Sequence, residues 1–179
     1  ILMCRRVGCA CALVFCLWAV AVVDARFIFP SFLWGRALLT LVLLEIRVMR
    51  IPDTMSGFVF GAGLVTSLIW FRPSFSDHAL GAVTGFAVLF LVRHAYYRLK
   101  GRQGLGKADE RLLAAGGGWV AVTGMFSTLF LAALLVILAV CVAGRFGRQV
   151  RGTDAIPFGP FLAAGIWLTW LYGPVFISG

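Results

Sequence analysis

Two carboxylates stand out because each lies in or next to an apolar run. Glu45 interrupts the apolar run 41–46, and Asp109 comes shortly before the uncharged run 112–144. A carboxylate at such a place is costly to keep and is a functional candidate by default. Each also has an ordinary explanation. Glu45 could pair with a nearby arginine or reach the membrane interface, and Asp109 could cap a helix that has Glu110 in its first turn.

As a pair, the two carboxyls would supply acid–base chemistry. Two carboxyls that share a site of low dielectric cannot both ionise easily, so the pKa of one of them rises. One group can then activate water while the other protonates a scissile carbonyl or a leaving amine. The residue types therefore permit an intramembrane hydrolase of the aspartyl type, provided that the fold brings Glu45 and Asp109 together.

The composition indicates the elements that must position these residues. Of the 179 residues, 61% are hydrophobic and 13% are charged, against about a quarter charged in an ordinary soluble domain. Uncharged runs approach the ~20 residues that a membrane-spanning helix needs. We therefore predict an all-α polytopic membrane protein with about seven transmembrane helices. The apolar segments are roughly 7–23, 29–46, 54–71, 79–97, 112–125, 126–144 and 156–176.

The run 112–144 is about twice the length of one span, so we predict a helical hairpin that turns near Gly124–Ser127. With seven spans, four clusters of Lys and Arg fall on one face, which should be cytoplasmic. Two spans separate Glu45 from Asp109, so both are expected at that cytoplasmic boundary. The clusters are Arg5 and Arg6; Arg47 and Arg50; Arg93, Arg98, Lys100, Arg102, Lys107 and Arg111; and Arg145, Arg148 and Arg151.

The remaining polar and aromatic residues predict no further site. The net charge of +9 is explained by orientation in the bilayer, so no nucleic-acid partner is expected. No CxxC pair and no group of His, Cys and carboxylates has metal-ligand spacing, so we predict neither a metal nor another cofactor. His78 is expected in a solvated outer loop. Trp34, Trp70, Trp167, Trp170 and Tyr172 are expected to be interface anchors.

Three segments together resemble the type IV prepilin peptidase family. The run from Glu45 to Pro52 and Asp53 resembles a family segment in which an Asp stands eight residues before an IPD or LPD ending. The run 104–116 is similar to the family's GMGxGDxKLLAAxG segment, and 156–163 reads IPFGPFLA, as the family's C-terminal segment does. Besides the two carboxylates, the residues at the motif positions are Pro52, Asp53, Gly104, Gly106, Ala108, Arg111, Pro157, Gly159 and Pro160.

The resemblance implies a GxGD-type aspartyl endopeptidase of the bacterial inner membrane. Such enzymes remove the basic leader of prepilins or pseudopilins, in type IV pilus assembly and type II secretion, and Glu45 and Asp109 would be the catalytic pair here. Residues 29–179 would form a six-helix catalytic domain, and 1–28 a first transmembrane helix with its outer turn. The CxxC pairs of the family's N-terminal methylation domain are not in this sequence, so either the chain is a short form of the family or the sequence starts after that domain.

Three residues depart from the family pattern. Glu45 replaces an Asp, which moves the carboxyl by about 1 Å, and a misplacement of that size can cost on the order of 100-fold in rate. Ala108 replaces the second Gly of GxGD, and Arg111 replaces a Lys. Either the site is adapted to Glu45, or the protein is a weakened or inactive relative that binds pilin or secretion components. A small multispan transporter that uses Glu45 as a coupling carboxylate is the third alternative.

Overall fold

The described part of the chain is helical. A computed structural model describes residues 14, 17–48, 57, 61, 65, 69, 75–101, 106–146 and 158–175, with the side chains of 26 and 44–48 left out. The all-α prediction is confirmed for these residues. We number the helices α1 (Ala25–Val48), α2 (Phe75–Lys100), α3 (Lys107–Arg145) and α4 (Gly159–Tyr172).

Five of the seven predicted segments fall on these helices. Segments 29–46, 79–97 and 156–176 correspond to α1, α2 and α4 to within a few residues, and 112–125 and 126–144 both lie inside α3. Segments 7–23 and 54–71 fall mostly outside the described residues. Within them, 14, 17–22, 57, 61, 65 and 69 are helical.

Local sequence explains where two of the helices stop or start. Gly101 adopts φ +66° directly after α2, and its N–H donates to the carbonyl of Tyr97 at 2.8 Å. A glycine in this left-handed conformation is a common helix stop. In α4, Pro160 lies in the first turn, where its missing N–H would have no helical acceptor and its fixed φ suits the helix.

The predicted break within 112–144 exists, but it lies at Ala121 and not at Gly124–Ser127. Ala121 has φ 58° and ψ −178° inside an otherwise helical α3. Gly124 is instead a packing residue, since a Cβ there would come within 3.1 Å of Thr169 Cγ2. We call the part before Ala121 α3a (107–120) and the part after it α3b (122–145).

The chain folds back at Ala121. In a straight helix, Gly116 and Ala132 would lie about 24 Å apart along the axis. Yet two consecutive residues of α4 contact these two positions: Ile166 contacts Gly116, and Gly165 contacts Ala132. A Cβ on Gly116 would meet Ile166 Cδ1 at 2.6 Å, and a Cβ on Gly165 would meet the Ala132 nitrogen at 3.2 Å.

Contacts between the helices give their directions. Ile166 and Trp170 of α4 contact Gly116 and Trp119, so α4 runs parallel to α3a. Gly165 contacts Thr128 and Ala132, and Thr169 contacts Gly124 and Thr128, so α4 runs antiparallel to α3b. Helix α1 contacts α4 through the pairs Ser31–Trp170 and Gly35–Trp167. Helix α2 contacts α3a through the pairs Gly81–Gly117 and Gly85–Leu113.

These pairs make α1 and α2 antiparallel to α3a. The C-terminal ends of α1, α2 and α3b therefore lie at one end of the bundle, together with the N-terminal ends of α3a and α4. The described basic residues at this end are Arg93, Arg98, Lys100, Lys107, Arg111 and Arg145.

The core corrects two expectations about the aromatic and His side chains. Trp34 and Trp167 are buried in the hydrophobic core, because their rings fill the space between α1, α3a and α4, and they are not interface anchors. His78 is also buried and lies inside α2, where its Nδ1 is 3.1 Å from the carbonyl oxygen of Gly118. It is not in a solvated loop, because α2 begins at Phe75, ahead of the predicted start.

Two of the helices, α2 and α3, are long and apolar enough to cross a membrane. Large apolar side chains are exposed along both of them, including Phe86 and Phe90 on α2 and Phe126 and Phe130 on α3b. Contiguous exposed apolar surface of this kind marks contact with a partner or with lipid.

Candidate active site

Asp109 lies in the first turn of α3a and is almost completely buried, with 4% of its surface exposed. Its Oδ2 accepts a hydrogen bond from the Gly106 N–H at 3.2 Å, and its own N–H donates to the Gly106 carbonyl at 3.3 Å. Gly106 is therefore the N-cap, and Asp109 closes the first turn from three residues further along. This differs from the expectation that Asp109 itself is the N-cap.

The second oxygen of the Asp109 carboxylate is the unusual feature. Oδ1 is buried and has no hydrogen-bond partner among the residues that the structure describes. A buried polar atom without a partner is costly, and such atoms concentrate where a protein binds or transforms something. Asp109 Oδ1 is thus available to a water molecule or a substrate.

The neighbouring carboxylate, Glu110, is also buried, with 3% of its surface exposed, and it pairs with Arg93 of α2. The Arg93 guanidinium in turn lies over the Phe90 ring, 5.7 Å from its centroid. The sequence pattern does not predict this ion pair, because Arg93 stands out there only as one of the basic residues that orient the protein in the membrane. The available signal was the short connection between the two helices, which brings the end of α2 next to the start of α3a.

Glu45 lies near the C-terminal end of α1, at the end of the bundle that also holds Asp109. The rings of Trp34 and Trp119 stack with their centroids 4.4 Å apart. Glu45 lies 11 residues beyond Trp34, which is roughly 16 Å, and Asp109 lies 10 residues before Trp119, which is roughly 15 Å. Since α1 and α3a are antiparallel, the backbones of both residues are at the same level.

Position 45 also continues the buried register of α1. Trp34, Leu38 and Leu41 are each 1–2% exposed, and 45 is the next position in the i, i+4, i+7, i+11 pattern of one helix face. The side chain of Glu45 lies outside what the structure describes, so the distance between the two carboxyls stays a prediction.

Some of the other motif residues lie in the described part of the chain and some lie outside it. Ala108 has helical φ and ψ, is partly buried and packs against the core, so its backbone conformation does not require glycine. Gly159 is buried and Pro160 half-buried at the start of α4, at the same end as Asp109, and Arg111 is half-buried in α3a. The motif residues outside the described part are Gly104, Pro52, Asp53 and Pro157.

The described side chains offer acid–base chemistry and no evident metal site. Among them, no group of three or more His, Cys, Asp or Glu could hold a metal ion. A buried carboxylate with one oxygen that has no partner among the described residues can instead position and activate a water molecule.

A model of the type IV leader peptidase family matches residues 27–141, a range that contains both Glu45 and Asp109. The chain belongs to this family. An integral membrane protein fits both the family and the two long apolar helices, α2 and α3.

Individual relatives support the same family assignment. The chain is 30% identical over 136 residues, 76% of its length, to a prepilin leader peptidase/N-methyltransferase of Aeromonas hydrophila, of which the match covers 47%. It is 31% identical over 140 residues (78% of this chain, 45% of the relative) to the protein of that name from Burkholderia pseudomallei. The match to the Pectobacterium carotovorum protein is 32% over 138 residues (74% and 49%).

The chain spans about half the length of the curated relatives it matches. The comparison with solved structures gave no match to the chain.

Proposed function

We propose that this protein is a membrane-embedded endopeptidase that removes the leader of prepilins or pseudopilins, with Glu45 and Asp109 as its catalytic carboxyls. The observation that carries the proposal is the buried Asp109 carboxylate, whose Oδ1 has no hydrogen-bond partner within the described part of the chain, in a chain of the type IV leader peptidase family. The names of the relatives, prepilin leader peptidases, supply the substrate class.

The proposed reaction is hydrolysis of one peptide bond without a cofactor. The ionised carboxyl accepts a proton from water as the water oxygen attacks the scissile carbonyl carbon, and the protonated carboxyl donates its proton to the carbonyl oxygen. Collapse of the tetrahedral intermediate breaks the C–N bond as the leaving nitrogen takes the proton from the carboxyl that accepted it from water. The hydroxyl of the intermediate gives a proton back to the other carboxyl, which restores the starting state of the pair. One water molecule is consumed for each bond that is cleaved.

The proposal includes a topology. Seven transmembrane helices, six of them in a catalytic domain of residues 29–179 preceded by a first helix within 1–28, would place the site at the cytoplasmic face of the bacterial inner membrane. Support comes from the basic residues at the Asp109 end of the bundle, among them Arg98, Lys100 and Arg145, because cytoplasmic loops carry the excess of Lys and Arg.

A second candidate function is supported by the departures from the family pattern. Glu45 stands where the family has Asp, and Ala108 where it has Gly. A relative with these changes could bind pilin-like helices without cutting them. This alternative requires the same bundle and membrane location but no turnover.

The test is cleavage of a prepilin by the full chain in membranes that contain no other prepilin peptidase. We expect Asp109→Asn and Glu45→Gln each to lower the rate by about 10²–10⁴-fold, the typical contribution of a positioned acid or base. Asp77→Asn is the matched control, because Asp77 is exposed in the first turn of α2 at the other end of the bundle. Full cleavage by both site variants would refute the assigned pair, and binding of intact prepilin by the wild type would favour the second candidate.

A further inference from the structure

The ion pair of Arg93 and Glu110 lies directly beside Asp109, and the proposed reaction does not use it. The side chain of Glu110 is 4% exposed and that of Arg93 20% exposed. Burial of an ion pair requires that the geometry and further contacts offset the loss of hydration, so its placement next to a reactive carboxylate calls for a reason.

We propose that Arg93 is a positioning residue for Asp109: through Glu110 it holds the first turn of α3a and cancels the negative charge next to the Asp109 carboxylate. The inference rests on the proposed function, which makes Asp109 a catalytic group. It concerns this chain in particular, because position 110 is an unspecified position of the GxGDxK pattern and Arg93 lies outside that pattern.

The first part of the proposal is mechanical. The hydrogen bonds between Gly106 and Asp109 close the first turn upon itself, but they do not connect that turn to another helix. The Arg93–Glu110 pair makes the connection to α2. Because residues 109 and 110 are consecutive on one helix, holding Glu110 against α2 also sets the direction in which Asp109 leaves the helix.

The second part is electrostatic. Two buried carboxylates in consecutive positions repel each other when both are ionised, and the repulsion grows as the local dielectric falls. The guanidinium of Arg93 compensates the charge of Glu110, so that the ionisation of Asp109 can respond to the second catalytic carboxyl.

Other charged and titratable groups also lie at this end of the bundle. On α2 they are the half-buried Tyr96 and the exposed His94, Tyr97, Arg98 and Lys100. The others are Lys107 and Arg111 of α3a, Cys141 and Arg145 of α3b and, on α1, Glu45 and Arg47, whose side chains the structure does not describe. Within α4 the only ionisable side chain is Tyr172, at the far end of the bundle.

The experiment follows the ionisation of the Asp109 carboxyl directly and needs no substrate. Infrared difference spectra between each full-length variant and the same variant carrying Asp109→Asn give the titration midpoint of this group. We expect Arg93→Gln to raise the midpoint by on the order of one pH unit and Glu110→Gln to lower it by a similar amount. The double variant should return close to the wild type, because both charges are gone.

Two further variants separate charge from fold. Arg93→Lys keeps the charge and should leave the midpoint near that of the wild type, and Arg98→Gln removes the same charge from an exposed place on the same helix and should have no effect. Shifts of the two single variants in the same direction, or no shift in either, would overturn the proposal, since a purely structural tether cannot produce opposite signs.

Cleavage assays on the same variants provide the second readout. We expect Arg93→Gln to lower kcat more than it raises KM, to move the limb of the kcat pH profile that reports Asp109 in the direction of the spectroscopic shift, and to be rescued by Arg93→Lys. Opposite spectroscopic shifts in a protein that cleaves no prepilin would refute the proposed function and leave the coupling of Arg93 to Asp109 intact. Normal cleavage without those shifts would refute the coupling alone.

Discussion

Trp34 of α1 stacks on Trp119 of α3a with an angle of 13° between the ring planes. A second edge-on contact joins Trp119 to Trp170 of α4, with the ring centroids 5.4 Å apart. Aromatic contacts of these two kinds are favourable beyond the area that they bury. The three rings join α1, α3a and α4 in the middle of the bundle, and they set the relative height of positions 45 and 109.

Because the backbones of Glu45 and Asp109 are level, the length of the side chain at position 45 should decide the reach of its carboxyl. We expect Glu45→Asp to retain or raise prepilin cleavage if position 45 is the catalytic slot, since the family has Asp there. Initial rates of the variant in membranes check this. Glu45→Gln is the control that has the length but not the charge, and it should lose activity. If Glu45→Asp is as inactive as Glu45→Gln, the bundle is adapted to the longer side chain. The shorter side chain would then misplace the carboxyl by about 1 Å and lower the rate on the order of 100-fold.

Much of the arrangement around Asp109 could be predicted by counting membrane crossings. The run of basic residues after α2 and the even number of spans between Glu45 and Asp109 predict a common end, and the helix directions agree with this. The short connection from Lys100 to Lys107 also makes α2 and α3a antiparallel neighbours.

What could not be predicted depends on contacts between helices. The turn occurs at Ala121, which is not a glycine. Gly124, where the sequence predicts the turn, instead allows close packing against Thr169. His78 was misplaced because the apolar pattern begins only after it, whereas the backbone of α2 is already helical at Phe75. Its partner, the Gly118 carbonyl, lies 40 residues away in sequence, and no local pattern reports such a pair.

The approach of α2 to α3a requires glycine at position 117. A Cβ on Gly117 would overlap the carbonyl oxygen of Gly81, so Gly117→Ala must push the two backbones apart. We expect this variant to lose about 1–3 kcal/mol of stability, the usual cost of overpacking, and to misplace the Arg93–Glu110 contact. Thermal unfolding in detergent measures the loss.

Gly144→Ala is the matched control for Gly117→Ala. It makes the same change in α3b, where nothing lies within 4 Å of the added methyl. It should leave the unfolding temperature unchanged or raise it slightly, because alanine is the better helix former. Equal losses in both variants would contradict the close packing of α2 on α3a.

Ala121 is the residue at which α3 reverses direction, and its backbone is strained. The combination of φ 58° and ψ −178° lies in a region that is essentially restricted to glycine and costs another residue of order 1–3 kcal/mol. We expect Ala121→Gly to raise the free energy of unfolding by about 1 kcal/mol. Ala133→Gly, the same change at an exposed helical position of α3b, should lower it by about as much. Unfolding titrations of both variants check the pair, and a loss in both would place the turn elsewhere.

The departure at Ala108 can be tested by restoring the family's residue. Ala108 is helical and packs against the core, so the backbone that carries Asp109 needs no glycine there. We expect Ala108→Gly to change prepilin cleavage by less than about threefold, well below the ~100-fold effect of a misplaced group. It should also lower stability by up to about 1 kcal/mol, because glycine is a poor helix former. Parallel measurements of rate and unfolding temperature decide the matter. A large gain in rate would show that the Ala108 methyl crowds the substrate backbone, and the family's glycine would then serve substrate access, with Ala108 accounting for a slow enzyme.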